Sequence, residues 1–183
     1  MAELLMGKNL ILFFREHSKR QTEDGAKLRF QTEHTITKEK ETEAIITKDG
    51  VINTIGDGEN TAEVTSLAYI DDEETITTWR QLEDMFDRNV LVEMWEIDIT
   101  DPEAKEFDAK YYQGYFTSFE ISAPADGQTE LTYEFAINGN GVEGTDTLNE
   151  EQLAAVKKTM YEYTQIARLG ESAASGEDPV AGA

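Results

Sequence analysis

Two histidines, His17 and His34, are the side chains of this 183-residue sequence best suited to proton transfer near neutral pH. Either would need a nucleophile or a carboxylate held against its ring to do general-base work. The chain carries no Gly-x-Ser-x-Gly elbow, Walker loop, His-Glu-x-x-His pair or EF-hand spacing. It has no cysteine, which removes thiol nucleophiles, disulfides and cysteine zinc sites together. Calcium oxygens could come from Asp57, Glu59 and Asn60, or from Asp71, Asp72, Glu73 and Glu74. Neither cluster keeps the spacing of a calcium loop, and both read as solvated turns. The aromatics Trp79, Phe86, Trp95, Tyr111, Tyr115, Phe119, Tyr133 and Phe135 could form a ligand platform, but they recur at core spacing. The residue types therefore point away from catalysis, and no cofactor or metal is expected.

The formal net charge of −22 sharpens this. Duplex DNA is held by Lys and Arg, so a strongly acidic chain should not grip it. Copies of such a chain repel one another unless specific contacts overcome the charge. The apolar run near the N-terminus, Leu10–Phe14, is too short for a signal segment or a membrane span. At this length a domain buries roughly 70% of its unfolded surface and needs no staple.

The positioning elements read as mainly β. Lys8–Arg15 is an apolar, central strand, and Ala26–Thr37 is a second one. Lys38–Glu43 is a charge run with little to bury. Ala44–Lys48 and Val51–Ile55 flank Asp49-Gly50, the signature of a short hairpin. Gly56–Asn60 is a loop and Thr61–Ile70 a strand. Thr78 and Gln81 supply a capping box, and Trp79, Leu82 and Phe86 recur at helical spacing toward Asn89. Val90–Thr100 is a strand ended by Asp101-Pro102.

The most informative segment is Tyr111–Gly144, a long antiparallel hairpin about the turn Pro124–Gly127. Its first arm places Tyr111, Tyr115, Phe119 and Ile121 on one side. Its second arm places Leu131, Tyr133, Phe135 and Ile137 on one side and Glu130, Thr132, Glu134 and Ala136 on the other. The expected core comprises Trp79, Leu82, Phe86, Trp95, Tyr115, Phe119, Tyr133 and Phe135, with Trp79 and Trp95 implying that helix and sheet pack together. From Thr147 the period becomes helical. Thr147 with Glu150, or Asn149 with Gln152, could cap a helix whose stripe is Leu153, Val156, Met160 and Tyr163. Glu171–Ala183 reads as disordered.

In ordered series, GKNLILFFRE, KLRFQTEHT, TKDG, TAEVTSLAYI, TWRQLEDMFDRN, VEMWEIDI and the Tyr111–Leu148 segment resemble the major tail, or tail tube, proteins of long non-contractile phages of Gram-positive bacteria. The resemblance runs from Gly7 to about Gln152. It implies an antiparallel β-sandwich or small barrel with a flanking helix at 78–89, together a tube domain of residues 1–148. A helical extension, 149–170, and a disordered tail, 171–183, follow.

The resemblance further implies hexameric rings stacked into a tube, with sheets of neighbouring copies joined as an inner barrel. Residues 38–60 would form the loop reaching the next ring, its hairpin carrying Ile45, Ile46, Asp49, Gly50, Val51, Ile52 and Ile55. Glu96, Glu120, Glu130 and Glu134 are the candidate lumen acids. Expected partners are further copies of the chain, a tape measure protein, and tail terminator or baseplate proteins. Duplex DNA would pass without specific binding, and no membrane is involved. The implied location is the virion tail, assembled in host cytoplasm. Two alternatives are the tube of a contractile injection system and a carbohydrate-binding β-sandwich. A hydrolase is the weakest option.

Overall fold

The computed structural model describes residues 4–70 and 78–157. Its strands are β1 (Leu10–Glu16), β2 (Ala26–Lys27), β3 (Gln31–Thr47), β4 (Gly50–Leu67), β5 (Val92–Asp98), β6 (Phe107–Ser122), β7 (Glu130–Ile137) and β8 (Val142–Asp146). Helix α1 (Thr78–Asp87) lies between β4 and β5, and α2 (Glu150–Lys157) follows β8. All pairings are antiparallel, in the order β2-β1-β5-β6-β7-β4-β3, with β8 beside the start of β6.

This one sheet curls until its far end returns to its beginning. The Leu12 N–H donates to Gln31 Oε1 at 3.3 Å, and His34 Nε2 on β3 lies 2.7 Å from Glu96 Oε2 on β5. The fold is thus the mainly-β, antiparallel architecture with a flanking helix that the sequence implies, built from one continuous sheet.

The curl gives the sheet an inside and an outside, and β1 serves both. Leu12 and Phe14 point inward with Val64, Met94, Leu131, Tyr133 and Phe135, all fully or nearly buried. Ile11 and Phe13 point outward into a smaller core with Ile97, Phe107 and Ala109. Helix α1 closes the inner core with Leu82 and Met85, and Trp79 and Phe86 pack against it. Trp79 Nε1 donates to the Tyr69 carbonyl at 2.9 Å. Asn89, at φ 52°, turns the chain out of the helix. Helix α2 covers the outer core with Leu153 and Val156. It starts with reciprocal bonds: Gln152 N–H to Asn149 Oδ1 at 2.8 Å and Asn149 N–H to Gln152 Oε1 at 3.0 Å. Of its expected stripe, Met160 and Tyr163 lie outside the described residues, as do the rest of the extension, the tail 171–183 and the acidic corner Asp71–Glu74.

Four expectations need correction. The register of β6 and β7 shifts between Phe116 and Ser118, so Thr117 is an extra residue that inverts the alternation. Tyr111 and Tyr115 therefore face outward, Tyr115 being 42% exposed, while Phe119 stacks inward on Tyr133 at 5.1 Å between ring centroids. Tyr112 and Phe116 hold the inner positions expected of the odd-numbered residues. Trp95 also lies on the outer face, 5.3 Å from Tyr111, and does not meet α1; the core beneath the helix is built without it. Third, Lys38–Glu43 and Gly56–Asn60 are strand rather than charge run and loop. Main-chain pairing continues through them because a solvated ribbon needs no apolar alternation to keep its ladder. In the other direction, Ala26–Thr37 breaks at Leu28–Phe30, where Phe30 takes φ 53°.

Candidate assembly surfaces

Beyond Asn60, where β4 leaves β7, strands β3 and β4 pair only with each other. They run on as a two-stranded ribbon of about ten residues per arm, about 34 Å at ~3.4 Å per residue. Asp49-Gly50 makes its tip, with Gly50 at φ 137° in open space where any side chain would be strained. Cross-strand pairs put Ile46, Val51 and Ile55 on one face and Ile45 with Ile52 on the other. These side chains are half to mostly exposed, Ile46 reaching 84%. Among the described residues nothing covers this ribbon, apolar on both faces, and isolated two-stranded ribbons are marginal in water.

The sheet segment at the ribbon's base is β3-β4-β7 and the second half of β6. Its inner face fills the core. Its outer face presents Glu33, Glu63, Glu120, Glu130 and Glu134 among Thr35, Thr37, Thr61, Thr65 and Thr132. All five carboxylates are on exposed residues, and no Lys or Arg shares that face of these strands. Glu63 sits directly opposite Glu134. Both flanks of this segment are open: among the described residues β3 pairs only with β4, and 115–122 of β6 pair only with β7. Open edges of this length are usually suppressed in soluble proteins because they recruit further strands.

Glu120, Glu130 and Glu134 are thus brought together, but Glu96 is not. It lies on the inner face, its side chain 11% exposed, paired with His34. Gln31 Nε2 sits 2.6 Å from His34 Nδ1, so the histidine closes the seam between β3 and β5. Glu33 and Glu63 are additions that sequence reasoning missed. Their alternation with His34 and Val64 carried the signal, but the pairing that sets β4 beside β7 was not legible.

The other carboxylates close to cations hold the fold together. Glu93 accepts from Arg15 Nε and Tyr111 Oη, both at 2.7 Å, with His17 Nδ1 at 3.2 Å. Burial pushes its carboxyl up, but the Arg15 and Tyr111 hydrogen bonds outweigh that and keep it below the usual range. Glu16, buried under α1, accepts from Arg88 at 2.7 Å, which holds its carboxyl down to about 2. Asp57 pairs with Lys40 across the ribbon. Among the described residues no group of three or more His, Asp or Glu is placed to hold a metal ion.

Residues 5–143 match the family described as phage tail tube protein. The chain is 32% identical over 182 residues to a Staphylococcus phage phiMR25 protein described as a tail protein, covering 97% of this chain and 90% of that one. It is 27% identical over 137 residues to the tail tube protein of Bacillus phage SPP1, covering 74% of this chain and 50% of that one. The solved SPP1 tail tube superposes with a TM-score of 0.66 at 18% identity, over 92% of this chain and 96% of that chain. The curled sheet, its ribbon and its uncovered edges are therefore those of a chain that belongs to the phage tail tube protein family.

Proposed function

We propose that copies of this structural, non-enzymatic subunit close into hexameric rings and stack into a hollow tube in the virion tail, assembled in the host cytoplasm. The carrying observation is that, among the described residues, one sheet segment has a free edge on each flank and an outer face between them whose charged side chains are all acidic. Edge β3 of one copy would add to the free half of β6 on the next. A heterologous contact of that kind closes into a ring when its rotation closes, and repeats along an axis when rings stack. The joined segments would make an inner barrel whose acidic outer faces line the lumen.

DNA in so narrow a channel lies within about one Debye length, ~8 Å at physiological salt, of the wall. Basic walls retain phosphates by releasing counterions, whereas carboxylates repel them and let the duplex slide. The ribbon would reach the neighbouring ring. Covering each of its exposed Ile and Val side chains contributes about 1.5–3 kcal/mol before ordering costs, which acts against repulsion between subunits of net charge −22. A tape measure protein and end-capping proteins complete the expected partners.

Electron microscopy of the concentrated protein tests the reading. Full-length chain should give hollow tubes, and deletion of residues 43–55 should give folded protein without tubes. Tubes of normal length from the deletion would remove the ribbon from stacking. Reversing Glu130 and Glu134 to Lys should leave tubes intact but slow DNA ejection; unchanged ejection kinetics at physiological salt would sink the lumen assignment.

A further inference from the structure

A ribbon that bridges rings must leave the body at a fixed angle, and its root carries a device that fixes one. The β3–β4 register slips between Lys38 and Lys40, where Gly58 and Glu59 of β4 stand against Glu39 alone, a bulge on β4. A Cβ on Gly58 would lie 2.9 Å from the carbonyl carbon and oxygen of Glu39, so only glycine allows the two backbones to approach. Bulges bend a strand pair and raise its twist, and this is where the ribbon leaves the sheet.

Asn60 then ties the bend to the body. Its residue is 5% exposed. Its Oδ1 accepts from the Glu39 N–H at 3.1 Å. Its Nδ2 donates to the Gly139 carbonyl at 2.6 Å and to Asn140 Oδ1 at 3.1 Å, both in the turn between β7 and β8. One buried amide thus spans ribbon and barrel, using its acceptor on the former and its donors on the latter.

We propose that Asn60 is a positioning residue for assembly: it sets the angle of the ribbon, and so where the tip meets a second copy of this chain. This rests on the stacking role given to the ribbon above. Leverage explains why one side chain matters. Over about 34 Å, a change of about 10° at the root moves the tip about 6 Å, more than the ~4.8 Å between neighbouring strands. A misaimed tip therefore misses by a whole strand.

The absence of cysteine allows labels to be placed cleanly. Spin labels at Asp49→Cys on the tip and Asp126→Cys on the β6–β7 turn report ribbon angle in the unassembled chain. A narrow distance distribution is expected, broadened in both Asn60→Ala and Asn60→Asp. Asn60→Asp keeps the acceptor for Glu39 but loses the donors to the turn, so it separates a clamp from simple support of the bulge. Asn140→Ala, a milder change in the turn, serves if Asn60→Ala fails to fold. Tubes from these variants should be fewer, or uneven in ring-to-ring rotation. An unchanged distribution in Asn60→Asp and Asn140→Ala overturns the inference, whatever the tubes do. Broadening with normal tubes upholds the clamp and overturns the stacking role of the ribbon instead.

Discussion

Glu63 and Glu134 face each other across β4 and β7 on the outer face, with no Lys or Arg between them among the described residues. Directly opposed residues have Cβ atoms ~5 Å apart. Two unit charges at that distance in water repel by about 0.8 kcal/mol, and screening at physiological salt lowers this to about 0.4 kcal/mol. Glu134→Lys turns repulsion into attraction. The isolated subunit should gain about 0.5–1 kcal/mol, or roughly 1–4 °C in melting temperature for a chain of this size. Glu134→Gln should gain about half of that. Urea unfolding at low and physiological salt measures both, and a cycle with Glu63→Gln isolates the pair. The gain should fade near 1 M salt, where the Debye length is ~3 Å. A Glu134→Lys subunit less stable than its parent, or a gain indifferent to salt and to Glu63→Gln, would refute the reasoning. Such a gain would mean that this face is arranged against the stability of the single subunit, as the proposed lumen wall requires.

Further outcomes follow from the core and from the Arg88–Glu16 ion pair. Gly114→Ala should cost 3 kcal/mol or more, on the order of the largest single-residue effects, because its Cβ would lie 1.9 Å from the Ala136 carbonyl oxygen; circular dichroism and urea titration would detect it. Arg88 holds the Glu16 carboxyl at about 2 against an ordinary 4.5, so its stabilisation is complete above pH 4.5 and drains away as pH falls toward 2. Glu16→Gln should therefore cost about 1–3 kcal/mol at neutral pH, with urea midpoints converging on the parent's as the acid limit is approached. Among the described residues the buried hydroxyls of Tyr133 and Ser66 find no well-formed hydrogen bond, only a weak mutual contact. Tyr133→Phe should then be neutral or stabilising by up to about 1 kcal/mol, since it removes a polar group that burial penalises; a clear loss in thermal melting would show that the hydroxyl has a partner.

Local residue pattern set the kinds of surface this protein has. Period-two alternation in Leu131–Ile137 fixed one apolar and one acidic face on β7, because successive side chains must point to opposite sides. Asp49-Gly50 located the ribbon tip, and the spacing of Trp79, Leu82 and Phe86 located α1, because both signals are local. What lay beyond local pattern was decided by pairing. The extra residue at Thr117 inverts β6, so Tyr115 points out while Phe119 points in; an alternation read from sequence does not reveal a bulge that exists only relative to a partner strand. Glu96 matches Glu130 in pattern but falls inside, because the curl of the sheet brings His34 across to meet it. Glu33 and Glu63 join the acidic face only because β7 returns beside β4, itself paired with β3, after more than sixty residues of chain. Residue order sets which side chains alternate; the long-range ladder alone sets which alternations share a face.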